Sequence, residues 1–318
     1  MDDIGFRNLQ KKQMRRRSLL KSLGLFSGSM ALSENVLAQS TFSKKSVRIA
    51  HITDIHIQPH IGAAKGFEKC LHHIQSLEKK CDFIINGGDA IMGMHGASEN
   101  SIEKQWDIYK SILKSENSIA ILNCIGNHDI FRKSNNPIDF LTGKKTTLDH
   151  LSLNKSYYSY DVLNWRILIL DSIQPCLDGK GYQGKVDEKQ FNWLKEELKE
   201  VSKDKNVMIV SHIPILSACV FLDGKNFKNG EWHVPETWMH GDAEELVELF
   251  AKHPNVKLAI SGHIHLTDRI EYNQVTYCCN GAVSGNWWMG SYKQTKPGYA
   301  LIDLFEDGSF ENKYVIYS

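Results

Sequence analysis

Val47-Arg48-Ile49-Ala50-His51-Ile52-Thr53-Asp54-Ile55-His56 is an apolar, β-branched run that stops on an Asp and a His. It reads as a buried strand of an α/β sheet, whose ligands gather beyond the carboxyl ends of the strands. The same unit recurs four times. Phe83–Asn86 runs into Gly87-Gly88-Asp89, Ile119–Ile125 into Gly126-Asn127-His128-Asp129, Val207–Val210 into Ser211-His212, and Lys257–Ile260 into Gly262-His263-Ile264-His265. Between these runs, Lys65–Lys80, Ser101–Lys114, Asp187–Val201 and Ala243–His253 carry apolar residues at helical spacing. The alternation predicts a largely parallel sheet with helices outside it, in one domain. Tyr157–Tyr160 and Arg166–Leu170 read as an antiparallel pair around Asn164. Val275–Cys278, Tyr299–Leu304 and Lys313–Tyr317 read as further strands of a mixed region, and Phe131–Asn154 as polar and irregular.

The chain has 318 residues, 42% hydrophobic and 24% charged, which is ordinary globular composition. Its formal charge of +1 is unevenly placed. Residues 1–38 hold seven of the 38 Lys and Arg but three of the 37 Asp and Glu, which leaves 31 basic and 34 acidic residues for the body. A slightly acidic body argues against general nucleic-acid binding, which needs a basic face. The seven cysteines include no CxxC pair, so neither a zinc ribbon nor a disulfide framework is expected.

Residues 1–38 read as an export signal: Arg15-Arg16-Arg17, a short apolar stretch through Leu32, then Val36-Leu37-Ala38 at a small-residue cleavage site. Arg16-Arg17-x-Leu-Leu-Lys is similar to a twin-arginine signal, with Arg15 where Ser or Thr usually stands. The expected partner is the twin-arginine export machinery, and the expected location is periplasmic or secreted. The apolar stretch is too short to span a membrane, and with no Cys after Ala38 a lipoprotein anchor is not expected. Residues 39–45 read as a linker and 46–318 as the folded domain.

The strand-end residues are oxygen and imidazole ligands of the kind that two metal ions require. Asp54 and His56 stand at i and i+2, which puts both on one side of an extended chain. Asp89, after a Gly pair, is suited to bridge two ions. Asn127, His212 and His263 are assigned to one ion, and His265 joins Asp54 and His56 at the other. Two divalent ions, two carboxylates and a bridging hydroxide leave a net charge of about +1, which attracts a phosphate anion. The hydroxide would attack phosphorus in line, with His128 stabilising the phosphoryl oxygens or protonating the departing oxygen. Asp129 either holds the His128 region or orders the loop.

In order and spacing these five motifs resemble D-x-H, G-D, G-N-H-D/E, H and G-H-x-H of the calcineurin-like metallophosphoesterase family, over roughly residues 47–270. The resemblance implies a four-layer α/β/β/α sandwich with two mixed central sheets and a binuclear centre of iron, manganese or zinc. It implies Asp54, His56, Asp89 and His265 at one metal, Asp89, Asn127, His212 and His263 at the other, and a catalytic His128. The Gly126-Asn127-His128-Asp129 form is also similar to class III cyclic-nucleotide phosphodiesterases. The stretch from Gly285-Asn286-Trp287-Trp288 to Pro297-Gly298-Tyr299 looks like the C-terminal segment of some bacterial secreted members.

The expected activity is therefore hydrolysis of a small-molecule phosphate ester, with diesters favoured over monoesters. A non-catalytic scaffold would lack ligands or His128, and none is missing; a nuclease is disfavoured by the acidic body. Neighbouring side chains of a strand face opposite ways, so one of Trp287 and Trp288 is expected to face the cleft. Those two and His95 are the candidate substrate-binding residues. Tyr182, Trp232 and Trp238 are further aromatic candidates, and Arg132 and Lys133 are cations placed to meet phosphate.

Overall fold

The computed structural model describes residues 45–317, apart from 60–61, 94–96, 133–136, 177 and 179–180. The expected export signal and most of the expected linker, together with His95 and Lys133, lie outside the described residues.

Each expected buried strand forms. β1 (Ser46–Ile52), β2 (Phe83–Asn86) and β3 (Ile121–Asn123) pair in parallel. Further along the chain come β4 (Tyr158–Val162), β5 (Trp165–Ile169), β6 (Ile173–Pro175), β7 (Tyr182–Gly184) and β8 (Asn206–Val210). They are followed by β9 (Phe227–Lys228), β10 (Glu231–Trp232), β11 (Val256–Ser261), β12 (Thr267–Tyr272) and β13 (Val275–Asn280). The last two are β14 (Gly298–Phe305) and β15 (Phe310–Ile316). Two large sheets result, ordered β15-β14-β1-β2-β3 and β12-β13-β11-β8-β5-β4. Both are mixed: β14 lies antiparallel to β1, and β4 and β12 are antiparallel edges on the parallel run of β5, β8, β11 and β13.

Alternation along the strands separates three cores. Val47 and Ile49 of β1 meet Trp165, Ile167, Met208, Val210, Leu258 and Ile260 between the sheets. Ala50 and Ile52 face the other way, against Phe67, Leu71, Trp106 and Tyr109. These belong to α1 (Ala63–Ser76) and α2 (Glu99–Glu116). Leu168, Val207 and Ile209 pack on Leu194, Leu198, Leu246 and Phe250 of α4 (Glu188–Glu200) and α5 (Ala243–Ala251). The result is the four-layer α/β/β/α sandwich. Among the described residues no helix is long and apolar enough to cross a membrane. All seven cysteines are free thiols.

Several boundaries and elements depart from the sequence reading, among them the short pairs β6–β7 and β9–β10, for which no strands were expected. α1 ends at Ser76, not Lys80: the Ser76 hydroxyl takes the His73 carbonyl, and Leu77 turns extended. Asp187 caps α4 from outside by accepting the Gln190 N–H at 2.7 Å. The strand expected over Ile119–Ile125 shrinks to β3, because Asn117 takes both backbone groups of Ile119 with its own amide. The stretch expected to be irregular holds α3 (Pro137–His150). Its buried face is Phe140, Gly143, Lys144 and Thr147, which has helical spacing but a mostly polar or small lining, while Ile138 and Leu141 are exposed. β12 was not anticipated; it is a polar edge strand whose side chains are largely exposed.

Candidate metal centre

The five strand-end motifs converge. Asp54, His56 and His265 form one group of donors, and Asp89, His212 and His263 another; within each group the donor atoms lie inside 4.8 Å of one another. His56 Nε2 stands 3.0 Å from His265 Nε2, and Asp54 Oδ1 3.3 Å from the latter. In the second group His212 Nε2 is 3.2 Å from Asp89 Oδ2 and 3.1 Å from Asn127 Oδ1. The same Asp89 oxygen is 3.8 Å from His56 Nε2, so one carboxylate oxygen faces both groups.

The route by which Asp54 and His56 meet differs from the expected one. The segment is not extended: Asp54 and His56 have φ of 55° and 51°. Asp89, His263 and His265 lie in the same left-handed region, at 55°, 71° and 59°. Non-glycine residues in this region carry strain of about 1–3 kcal/mol each and collect where function over-determines the backbone. Here left-handed residues alternate with the ordinary ones at Ile55 and Ile264, which are buried. Close packing holds the turns in place. A Cβ at Gly126 would come within 2.1 Å of Asp89 Oδ1, and one at Gly262 within 2.3 Å of Asp54 Oδ2.

Outer hydrogen bonds fix which ring nitrogen faces the centre. His212 Nδ1 bonds Gly87 O at 2.8 Å and His265 Nδ1 bonds Gly285 O at 2.6 Å, so both aim Nε2 inward. His263 is reversed: its Nε2 bonds Thr237 O at 2.7 Å and leaves Nδ1 for the centre. Asp54 Oδ2 accepts from Thr53 Oγ1 and the His263 N–H, while the buried Oδ1 has no hydrogen-bond partner. Carbonyl-oriented imidazoles and a spare carboxylate oxygen are what metal ligation requires. The donor set therefore fits two ions of the borderline N/O-binding class.

The electrostatics are those of mutually dependent groups. Burial opposes ionisation of Asp54 and Asp89, yet the neighbouring His265 and His212 respectively hold each below the usual carboxylate range. Burial also disfavours a charged His212, but the Asp89 carboxylate raises its imidazole to about 9. Burial and the neighbouring His212 push His263 down to about 4.

His128 is half-buried, its ring 4.6 Å from that of His56, and within donor reach of His56 and Asp89. Its Nδ1 is tied to Met92 O, not to Asp129. Asp129 orders the loop instead, accepting the N–H groups of Asp89, Ala90 and Gly126 at 2.8–2.9 Å. Burial and the nearby Asp89 push its carboxyl up to about 7, against the pull of those donors.

The centre opens into a cavity of about 290 Å3 lined by Asn127, His128, Tyr182, Asp223, Trp238, His263, Trp287 and Tyr292, among others. Trp287 lies over His265, with ring centroids 4.6 Å apart. Trp288 turns away from it: its indole N–H donates to His56 O, and its ring fills the space over Gly66 of α1. That makes Trp288 a support for His56 and Trp287 the cleft wall. Tyr182 and Trp238 reach the cleft, whereas Trp232 is exposed on the β9–β10 hairpin against Phe221 and Phe227. Asp223 and Tyr292 stand in no recognisable motif, yet they join across the rim, the Tyr292 hydroxyl donating to Asp223 at 2.5 Å.

Residues 47–266 match the calcineurin-like phosphoesterase family, and the chain belongs to it. It is accordingly a hydrolase of ester bonds in a metal-dependent family. It is 23% identical to a 3′,5′-cyclic-nucleotide phosphodiesterase of Nostoc over 85% of this chain and 92% of that one. It is also 23% identical to the 3′,5′-cyclic adenosine monophosphate phosphodiesterase CpdA of Escherichia coli, over 76% and 77% respectively. Among solved structures, a dimetal phosphatase from Danio rerio superposes with a TM-score of 0.57 at 14% identity, covering 86% of this chain and 99% of that one.

Proposed function

We propose that this chain hydrolyses small-molecule phosphodiesters with two metal ions. Asp54, His56, Asp89 and His265 would hold one, and Asp89, Asn127, His212 and His263 the other. The observation that carries this reading is the single Asp89 oxygen facing His56 on one side and His212 on the other. Bound there, the ions supply Lewis-acid charge and an acidified water as nucleophile. The chain's own residues orient and neutralise. The carbonyls of Gly87, Gly285 and Thr237 fix the imidazole rings. With Nδ1 tied to Met92 O, His128 offers Nε2 as the atom that protonates the departing oxygen. Aromatic walls at Tyr182, Trp238, Trp287 and Tyr292 suit the organic arms of a diester. The phosphodiesterase names of relatives aligned along most of the chain support the same preference.

The test is a panel of cyclic nucleotides, bis(p-nitrophenyl) phosphate and p-nitrophenyl phosphate, run with Mn²⁺, Zn²⁺ or Fe. Metal-dependent turnover with diesters ahead is expected; faster monoester turnover would overturn the diester preference. We also propose that residues 1–38 direct export by the twin-arginine route, a reading supported by Arg16-Arg17 and Val36-Leu37-Ala38.

A further inference from the structure

Arg132 is half-buried, and its guanidinium lies 5.8 Å from the Phe140 ring. Lys144 sits over the same ring at 5.3 Å but donates to Asp171 at 2.7 Å. Among the described residues no carboxylate pairs with Arg132. A partly desolvated guanidinium without an anion is a site waiting for one, and its planar fork matches carboxylate and phosphate oxygens. Arg132 lines a cavity of about 180 Å3 together with Asn127, His128, Phe131 and Tyr182. Asn127, His128 and Tyr182 also line the larger cavity over the metal-ligand groups, so the two spaces adjoin across His128.

We propose that Arg132 and Tyr182 form an oxyanion subsite beside His128, which takes a second negatively charged group carried by the diester substrate. The inference rests on the diesterase reading and narrows it. A cyclic nucleotide has one phosphate, and once that is at the metals nothing anionic is left for Arg132. The favoured substrates are diesters with a carboxylate or a further phosphate on one arm. Phe140 stacking alone would give Arg132 a packing role, but packing does not distinguish a ligand with a second anion from one without.

The experiment measures binding to the full, Mn²⁺-loaded protein by isothermal titration, so that it does not depend on turnover. The ligands are ethyl phosphate, 2-carboxyethyl phosphate and ethane-1,2-diyl bisphosphate. The two ligands that carry a second anionic group are expected to bind about tenfold tighter than ethyl phosphate, the size of one charge-assisted fork. Arg132→Met should abolish that preference and Arg132→Lys should keep part of it, with thermal melting confirming that both variants fold. A preference for only one of the two ligands identifies the second group as carboxylate or phosphate. Equal binding of all three ligands by the native protein, or a preference that survives Arg132→Met, overturns the subsite. Absence of turnover on every diester would instead sink the diesterase reading, while the binding ratios still decide this one.

Discussion

At the scale of single residues, the left-handed turns at Asp54, His56, Asp89, His263 and His265 do most to make the site. Their identities were plain in the sequence, because carboxylates and imidazoles after apolar strands have few other uses in such numbers. Their conformation was not, because Asp and His enter the left-handed region more often than most residues but still at only a small fraction of positions. Trp287 and Trp288 show the same limit: adjacency implied opposite faces, but only packing assigned Trp287 to the cleft and Trp288 to Gly66. Two predictions belong here. His128→Ala should keep both metals yet lower kcat by about 10²–10⁴-fold, the usual contribution of a general acid. Loss of metal in that variant would make His128 a ligand, consistent with its reach to His56 and Asp89. Trp288→Ala should free the His56 carbonyl from its indole partner and empty the space over Gly66, costing about 3–5 kcal/mol of stability. An unchanged melting temperature would contradict that packing role.

Among the elements, the strands entering the sheets were legible because they are continuously apolar. α3 and β12 were not, and for one reason: periodicity is visible only when the buried face is apolar. α3 buries Gly143, Lys144 and Thr147, and the Thr147 hydroxyl donates to Asp129 O at 2.6 Å, which ties the helix to the His128 loop. Gly143→Ala sets two effects against each other. Helix propensity favours Ala by about 1 kcal/mol, but its Cβ would stand 1.9 Å from Phe131 O, a backbone atom that cannot step aside. The contact should win, with a net loss of about 1–3 kcal/mol; a gain in melting temperature would refute it. On the helix-facing side of the same sheet, Arg48 of β1 donates through Nε and Nη2 to Asp303 of β14, and Lys79 adds a third contact at 3.0 Å. Burial resists the charge on Asp303, but these cations hold its pKa below the usual value. A depressed folded-state pKa gives stability that is present above the unfolded value of about 3.9 and is lost as pH falls through the folded one. Asp303→Asn should therefore lower the melting temperature at pH 7, and the gap to the native protein should close in acid. A gap that stays constant down to pH 2 would show that charge is not what Asp303 contributes.

For the whole molecule, two sheets back to back bring strand ends from distant parts of the sequence to one edge, and that is why Asp54 and His265 meet. The order of the motifs made this architecture legible, whereas the shape of the cleft came from loops whose side chains follow no period. The proposed ligands come from both sheets, so metal held by them would clamp the sheets together. Chelation should then lower the melting temperature by several degrees, following the linkage between ligand binding and folding. In cells, the full chain should fractionate with exported protein, and replacing both Arg16 and Arg17 with Lys should retain it in the cytoplasm. The most direct test of the account is the metal content of purified native and Asp89→Ala protein, measured beside bis(p-nitrophenyl) phosphate turnover. The account predicts two ions per native chain with metal-dependent turnover, and loss of both turnover and bound metal in the variant. An Asp89→Ala protein that keeps two ions, or a native protein that turns over diester without metal, would contradict it.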